Sequence, residues 1–426
     1  MNRFFCLFIL LLAFRAGYGQ ESAFPEKLSL ENAISIALGN NPALKKAASE
    51  IDASRGKFHG GISLPSPTLS LEYEGVPSGK SPGGYGERYF KIGQAFEFPT
   101  TIALKYSFLS TGVDMAQSDY NTASLALISR VKKAYYSVLA GREKLKIAKE
   151  NLTITDDFIH KAEVRLNLGE AGNLEYLTAK VQFAQAKNDV SLAENELKTT
   201  CNELCSVLGV EHDFENCTLT DSLSYPEYSF NPEDLLKSAN EKSPMLKKAS
   251  LVVNSASIGR SIAWSGLLPA FELEYFNQAI DGRKGFYGFS LGVSVPLWFM
   301  FSQKGEIEEA SANLRGAEYE YKSAQNELNL NVKNAFLDYQ NDNRQVKLYK
   351  EEILPQAMEA YRTAKISYDA GEISYLEFLG ARQTLISAKS SYTEVLLNYN
   401  ASLIAIEEAA GTSLENFKIK TGFGDK

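Results

Sequence analysis

Two glutamates hold matching places in this chain. Glu175 and Glu377 each stand six residues past a glycine, Gly169 and Gly371, and lie 202 residues apart. Six helical residues span roughly 9 Å, so each carboxylate falls in the first turns beyond a chain reversal. Two readings of these acids stand open. Carboxylates brought close together attract cations, multivalent ones most strongly. A first-turn glutamate is also an ordinary response to the helix dipole, worth about 0.3–1 kcal/mol. Thiols come next: Cys201 and Cys205 are spaced i,i+4 on one helical face, with Cys217 in a polar stretch beyond. An exported protein could pair Cys217 with either, or keep all three reduced. His212 is the nearby candidate for a zinc set, while His59 and His160 are scattered. Met115, Met245, Met300 and Met358 are too dispersed to relay a soft metal. The paired acids Glu351 and Glu352, and Glu407 and Glu408, fit solvated helix faces.

No P-loop, GxSxG, HExxH or dinucleotide fingerprint occurs, so the chain reads as a non-enzyme with no catalytic residues, no cofactor and no metal site. A formal net charge of -8 argues against a nucleic-acid partner, which needs a basic stripe. At the start, Arg3 precedes the apolar run from Phe4 to Phe14 and the small residues Gly17 and Gly19, the pattern of a secretory signal peptide over 1–19. Cys6 sits inside that run without a lipid-attachment pattern. Eleven apolar residues are too few to span a bilayer as a helix, and no later stretch supplies the ~20 required.

The elements that must position these residues emerge from self-comparison. NPALKKAAS from Asn41 recurs as SPMLKKASL from Ser243, and Pro67 to Tyr73 recurs at Pro269 to Tyr275, both at an offset of 202. The same offset joins Gly169, Glu170, Leu174, Glu175, Leu177 and Ala179 to Gly371, Glu372, Leu376, Glu377, Leu379 and Ala381, and Gly209 to Gly411. Between these blocks it falls to 197 at Pro99 and Pro296 and to 201 at Val131 and Val332, attributed here to loop-length differences. Two tandem copies follow, 20–209 and 236–411, joined by a segment at 210–235 and closed by a tail at 412–426.

Each copy begins with a helix capped at Asn41 or Ser243 and carrying Pro at its first position. Period-two alternation follows, predicting one β-hairpin at about 67–98 and another at about 269–296. Leu69, Leu71 and Tyr73 alternate with Ser70, Glu72 and Glu74; Phe289, Leu291 and Val293 alternate with Ser290, Gly292 and Ser294. Strands of about nine to eleven residues suit a membrane barrel. Four per chain cannot close one, whereas three chains would close twelve. Val76 to Glu87 and Asn277 to Lys284 are the expected outward loops, with Pro99, Pro296, Trp298 and Phe299 at the opposite rim. Helical periodicity without breakers then runs from about Ala103 to Asn167 and from about Gln303 to Asp369, rods of roughly 95 Å that must pack as a helical tube. Each turns at its glycine tip and returns, giving helical hairpins at about 103–209 and 303–411.

This order, written twice across the mature chain, resembles the outer-membrane efflux proteins of the TolC-like type. The segments LPSPTLSLEYEG (64–75) and KIGQAFEFP (91–99) are similar to the CzcC-like heavy-metal subgroup. The resemblance implies a mainly α protomer carrying a membrane β-barrel: four strands per chain in a trimeric twelve-stranded barrel, continued by a long periplasmic α-helical barrel. It further implies a homotrimer set in outer-membrane lipid, partnered by a periplasmic adaptor and an inner-membrane pump of RND type, with 210–235 and the tail forming an equatorial belt. Gly169, Glu170, Gly371 and Glu372 become adaptor-docking tips. Glu377 falls where such sequences place the first of two gate aspartates, with Gly380 at the second and Thr178 at its counterpart. The rival expectation is a periplasmic coiled-coil adaptor or scaffold, which would not need two membrane-length hairpins.

Overall fold

A computed structural model describes residues 27–170, 172–210, 218–297 and 302–414. The expected signal peptide, Cys6, His212, Cys217, Trp298, Phe299, Met300 and most of the tail lie outside the described residues.

Each half opens on a broken helix: α1 (Leu30–Asn40) and α2 (Pro42–Gly61), then α5 (Pro232–Lys242) and α6 (Pro244–Ser265). The break is a capping event. Asn41 accepts from the amides of Ala43 and Leu44 at 2.9 and 3.4 Å, and Ser243 accepts from Leu246 at 3.4 Å. The proline that follows each has no amide hydrogen to leave unpaired. The helices α1 and α5 are additions to the sequence reading, although Asn231 followed by Pro232 carries the same signal and caps Glu233 at 3.0 Å. The boundary expected at 235 therefore falls inside α5.

Four antiparallel strands form one sheet in the order β1 (Thr68–Glu74), β2 (Glu87–Phe96), β3 (Ala270–Ile280) and β4 (Arg283–Ser294). The register aligns Leu69, Ile92, Tyr275 and Phe289 in one row across all four strands. The apolar face is exposed, with Leu69 at 67% and Leu291 at 70% of full accessibility. The expected loop at Asn277 to Lys284 is instead a two-residue reversal, with Asn277 to Ile280 still in β3. Asp281 (φ 48) and Gly282 (φ 79) both take left-handed conformations, as a tight hairpin turn with the native strand twist requires.

The long helix α3 (Pro99–Asn167) has 69 residues, about 100 Å at the helical rise. Its first half lies against α2, where Phe58 meets Tyr106, and its second against the returning α4 (Asn173–Leu208), where Lys144 pairs with Glu196 at 2.6 Å. In the second copy α7 (Ser302–Leu348), α8 (Leu354–Asp369) and α9 (Tyr375–Ala410) repeat this path. The two copies bury equivalent positions, Leu44 with Leu246, Leu127 with Leu328 and Val131 with Val332. Each buried Leu or Val is worth about 1.5–3 kcal/mol. Between the copies, residues 218–231 are strapped across the helices: Tyr399 donates to Pro226 O at 2.5 Å, Tyr339 to Tyr228 O at 2.6 Å, and Lys347 pairs with Glu227 at 2.6 Å.

The second rod is not free of breakers. Pro355 stands in it, and Tyr349–Ile353 form one turn of wider π-helix just before it. Proline lacks an amide hydrogen and its ring crowds the carbonyl one turn back, which a wider turn relieves. The same turn absorbs a length difference, because the repeat offset rises from 201 at Val332 to 202 at Gly371. That one-residue step lies within a helix and not, as expected, in a loop.

Gly209 ends α4 at φ 71, and a Cβ placed there would lie 2.9 Å from Asn41 Cα. Gly209→Ala must strain the backbone and push α4 away from the capped break, destabilising the fold by about 1–3 kcal/mol. Thermal unfolding of the detergent-solubilised variant measures this, and an unchanged midpoint would refute the packing role.

Candidate functional site at the helix tips

Both rods end in the same backbone signature. Gly169 (φ 76) and Gly371 (φ 75) adopt the left-handed conformation, and the residue after each donates back across the last turn, Glu170 N to Arg165 O at 2.9 Å and Glu372 N to Ser367 O at 2.8 Å. This double-bonded glycine stop satisfies carbonyls the helix would leave open. It projects Glu170 and Glu372 at the exposed ends.

The glutamates six residues past each glycine have different surroundings. Glu377 closes a capping box on Ser374: its Oε2 accepts from Ser374 N and Oγ, both at 2.8 Å, while Glu377 N donates to Ser374 Oγ at 3.3 Å. The backbone bond first, and the hydroxyl second, hold its carboxyl below the usual range. Glu175 instead faces across the two copies. Its Oε1 accepts from the Tyr368 hydroxyl at 2.6 Å and pairs with Arg165 at 3.3 Å, and Arg165 reaches Tyr368 Oη at 3.0 Å. Burial, then the Glu175 hydrogen bond, push the Tyr368 hydroxyl up to about 12, so it stays a donor at physiological pH. Glu170, His160, Lys161 and Gly371 line the cleft beside this network. Beneath it lie Phe158, Tyr368, Tyr375 and Phe378, the rings of Phe158 and Phe378 stacked 4.1 Å apart.

Arg165 and Tyr368 are absent from the sequence reading. Self-comparison hides them, since the offset of 202 aligns Arg165 with Ser367 and Tyr368 with Leu166. The thiols lie elsewhere: Cys201 and Cys205 are buried one turn apart on α4, in the first copy's core.

At the opposite end, the inner face of the sheet carries Glu72, Glu74, Glu87, Glu272 and Glu274, with Lys91 pairing Glu72 at 2.6 Å. In lipid the apolar face must point outward, which turns these acids toward the barrel interior. An amphipathic sheet with open edges, mounted on helices of about 100 Å, defines the protomer of an outer-membrane channel. The chain belongs to the outer membrane efflux protein family, whose model matches it twice, over residues 33–210 and 235–412. It is similar to the cobalt-zinc-cadmium resistance protein CzcC of Cupriavidus metallidurans, 24% identical over 89% of this chain and 88% of that protein. It is also similar to the outer membrane protein TolC of Vibrio cholerae, 23% identical over 70% of this chain and 71% of that protein. The fold matches a crystal structure of CusC with a TM-score of 0.78, 18% identity, and coverage of 90% and 92%. The protein is thus an efflux channel of the outer membrane extending into the periplasm, and the adaptor alternative is set aside.

Two measurements check the tip. Tyr368→Phe removes a hydrogen bond to a charged, partly buried acceptor and should cost about 2 kcal/mol, read as faster hydrogen exchange of amides flanking 169 and 371. Unchanged exchange would show the link idle. Glu377 has a lowered folded pKa, so its contribution is complete above the ordinary glutamate pKa near ~4.3 and disappears as pH falls through the folded value. Protection at the start of α9 should fall on acidification in the parent and stay level in Glu377→Gln, whose amide keeps a bond but carries no titrating charge.

Proposed function

We propose that three copies close a twelve-stranded barrel and one continuous helical tunnel, which a periplasmic adaptor and an inner-membrane pump of RND type feed with cargo. The observation that carries this is the sheet: four strands, two open edges, an apolar face and an acid-lined face. Pump energy moves the cargo, and the channel adds no chemistry of its own. Residues 218–231 form a belt at the tunnel's waist, and the helical hairpins of the two repeats are its staves. The glycine tips with Glu170 and Glu372 meet the adaptor.

Heavy-metal cations are the proposed cargo. The relatives named for cobalt, zinc, cadmium and cation efflux support this, as do five lumenal glutamates. Glu175, held by Arg165 and Tyr368, is the acid suited to guard the tip opening. Glu377 sits at the same level but is tied to its own cap.

In a host lacking its own metal-efflux channel, the protein expressed with its pump and adaptor should restore cobalt, zinc and cadmium tolerance. No gain of tolerance, with trimer verified in the outer membrane, would overturn the metal reading. Gly371→Trp should abolish export while leaving that trimer inserted; full export would remove the docking role. In single-channel recordings, Glu175→Gln should weaken cation selectivity and block by trivalent cations, whereas Glu377→Gln alone leaves both near the parent values. Equal effects from the two variants would show that the local cap does not remove Glu377 from the mouth.

A further inference from the structure

In the second copy α9 ends against the capped break between α5 and α6. Ser238 of α5 donates to Ala410 O at 3.2 Å, and a Cβ on Gly411 would lie 3.3 Å from the Lys242 carbonyl, so α9 and α6 stand end to end. The negative end of one helix and the positive end of the other offset each other, which leaves the side chains to set the local sign. α3 and α7 run past the joint on either side, and the four helices enclose a cavity of about 380 Å³. That is within the range of small-molecule sites, about 300–1,000 Å³. Its floor is apolar: Leu125 of α3, Met245 of α6, Leu328 of α7, and Ala405 and Ala409 of α9.

The rim is acidic. Asp338 and Glu408 border the opening, together with the amides of Asn331 and Asn334. Glu408 meets Lys133 only at 3.8 Å, a half-exposed contact that leaves most of its charge available, and Asp338 forms no ion pair among the described residues. One turn on, burial, opposed by a Ser402 hydrogen bond and added to by the charge of Asp338, holds the Asp342 carboxyl above its usual range.

These side chains are particular to the second copy. At the equivalent joint, where Gly209 meets Asn41, Arg130 and Lys133 stand in place of Asn331 and Asn334, and Ser137 and Ser206 in place of Asp338 and Glu408. Glu203 and Val207 likewise stand in place of the small Ala405 and Ala409. Where the first copy has cations and bulk, the second has carboxylates and room.

The cavity also opens away from the strap at 218–231. No residue of the strap lines it, and Ala409 lies nine residues beyond Asn400, about 180° around α9, whereas Asn400 holds the strap through Ser224 O at 3.1 Å. A belt encircles a tube from outside, so the opposite face is the tunnel wall.

We infer that this cavity is a lumenal site for one small organic cation per chain, a quaternary ammonium or protonated amine with short apolar arms, and that its occupant obstructs the tunnel. The arms leave water for Leu328 and the adaptable thioether of Met245, while the charge stays at the rim with Asp338 and Glu408. A bare metal ion is a poor fit: two carboxylates lack a third ligand, and no three His, Cys, Asp or Glu side chains among the described residues are placed to hold one. The lumenal placement rests on the trimeric reading above; the binding does not.

Equilibrium dialysis of labelled tetrapropylammonium against the detergent-purified, full-length protein tests the site. Saturable uptake of one ion per chain is expected, about fivefold weaker in Asp338→Asn, as loss of one half-shielded charge implies. Ala409→Phe, whose ring fills the floor, should take up none. Tetramethylammonium, equal in charge but with little apolar surface, should compete far more weakly. No saturable uptake by the parent, full uptake by both variants, or equal competition by tetramethylammonium overturns the site. Native mass measurement of the same preparation separates this from the trimer. One ion per chain on a monomer overturns the trimeric reading and leaves the site, whereas a trimer that takes up none does the reverse. Single-channel recording fixes the face: tetrapropylammonium should reduce the parent's current and leave that of Ala409→Phe unchanged. A parent that binds the ion at undiminished current overturns the lumenal placement.

Discussion

The unpaired edges of β1 and β4 set the terms for the rest of the molecule. In a hydrocarbon layer every backbone amide and carbonyl needs a partner, and an open sheet of four strands leaves two full rows without one. Additional strands of the same chain could meet that need, but this sequence continues instead into helices too polar to remain in lipid, none of them among the described residues apolar enough to cross a bilayer. The edges therefore call for further copies, and the helices inherit the barrel's circumference. Their length, their side-by-side packing and the shared burial of Val131 and Val332 follow from being staves of one tube.

Repetition gives the tube its regularity, and departures from repetition give it a distinct tip. Ser374 draws Glu377 into a local cap, while Gly172, at the equivalent place before α4, offers no side chain and leaves Glu175 to reach Arg165 and Tyr368. Neither Arg165 nor Tyr368 has a like residue in the other copy. A link across the copies can thus form here in only one of the two senses. The tip is two-fold inequivalent within each chain even though its backbone turns are nearly superposable in conformation.

Much of this was legible in the sequence because it rests on residues acting locally. Asn41 with Pro42, the alternation at Leu69 to Glu74, and the two tip glycines each declare their element without reference to anything distant. What escaped depends on partners remote in the chain. Tyr368 meets Glu175 from 193 residues away, and nothing near either residue announces the other. The turn at Asp281 and Gly282 was written plainly but obscured by neighbours with loop-like composition. The short helix α5 escapes the sequence pattern because its cap signal, Asn231 with Pro232, lies in a stretch of loop-like composition. Pro355 was readable as a breaker, and its effect is confined to five residues.

That confinement has a geometric meaning. A residue added to an α-helix turns everything beyond it by about 100° about the axis, enough to swing a buried stripe out to water. One wide turn at Tyr349–Ile353 takes up the extra residue before the phase error can travel. Ala364 and Tyr368 still face the aromatic cluster that Ala162 and Phe158 face from the other copy. The tube behaves like a crystal that has trapped a dislocation in a single layer. Length changes elsewhere on its rods can be accommodated in the same way, so tunnels of this design can lengthen one residue at a time without losing the azimuth of their tips.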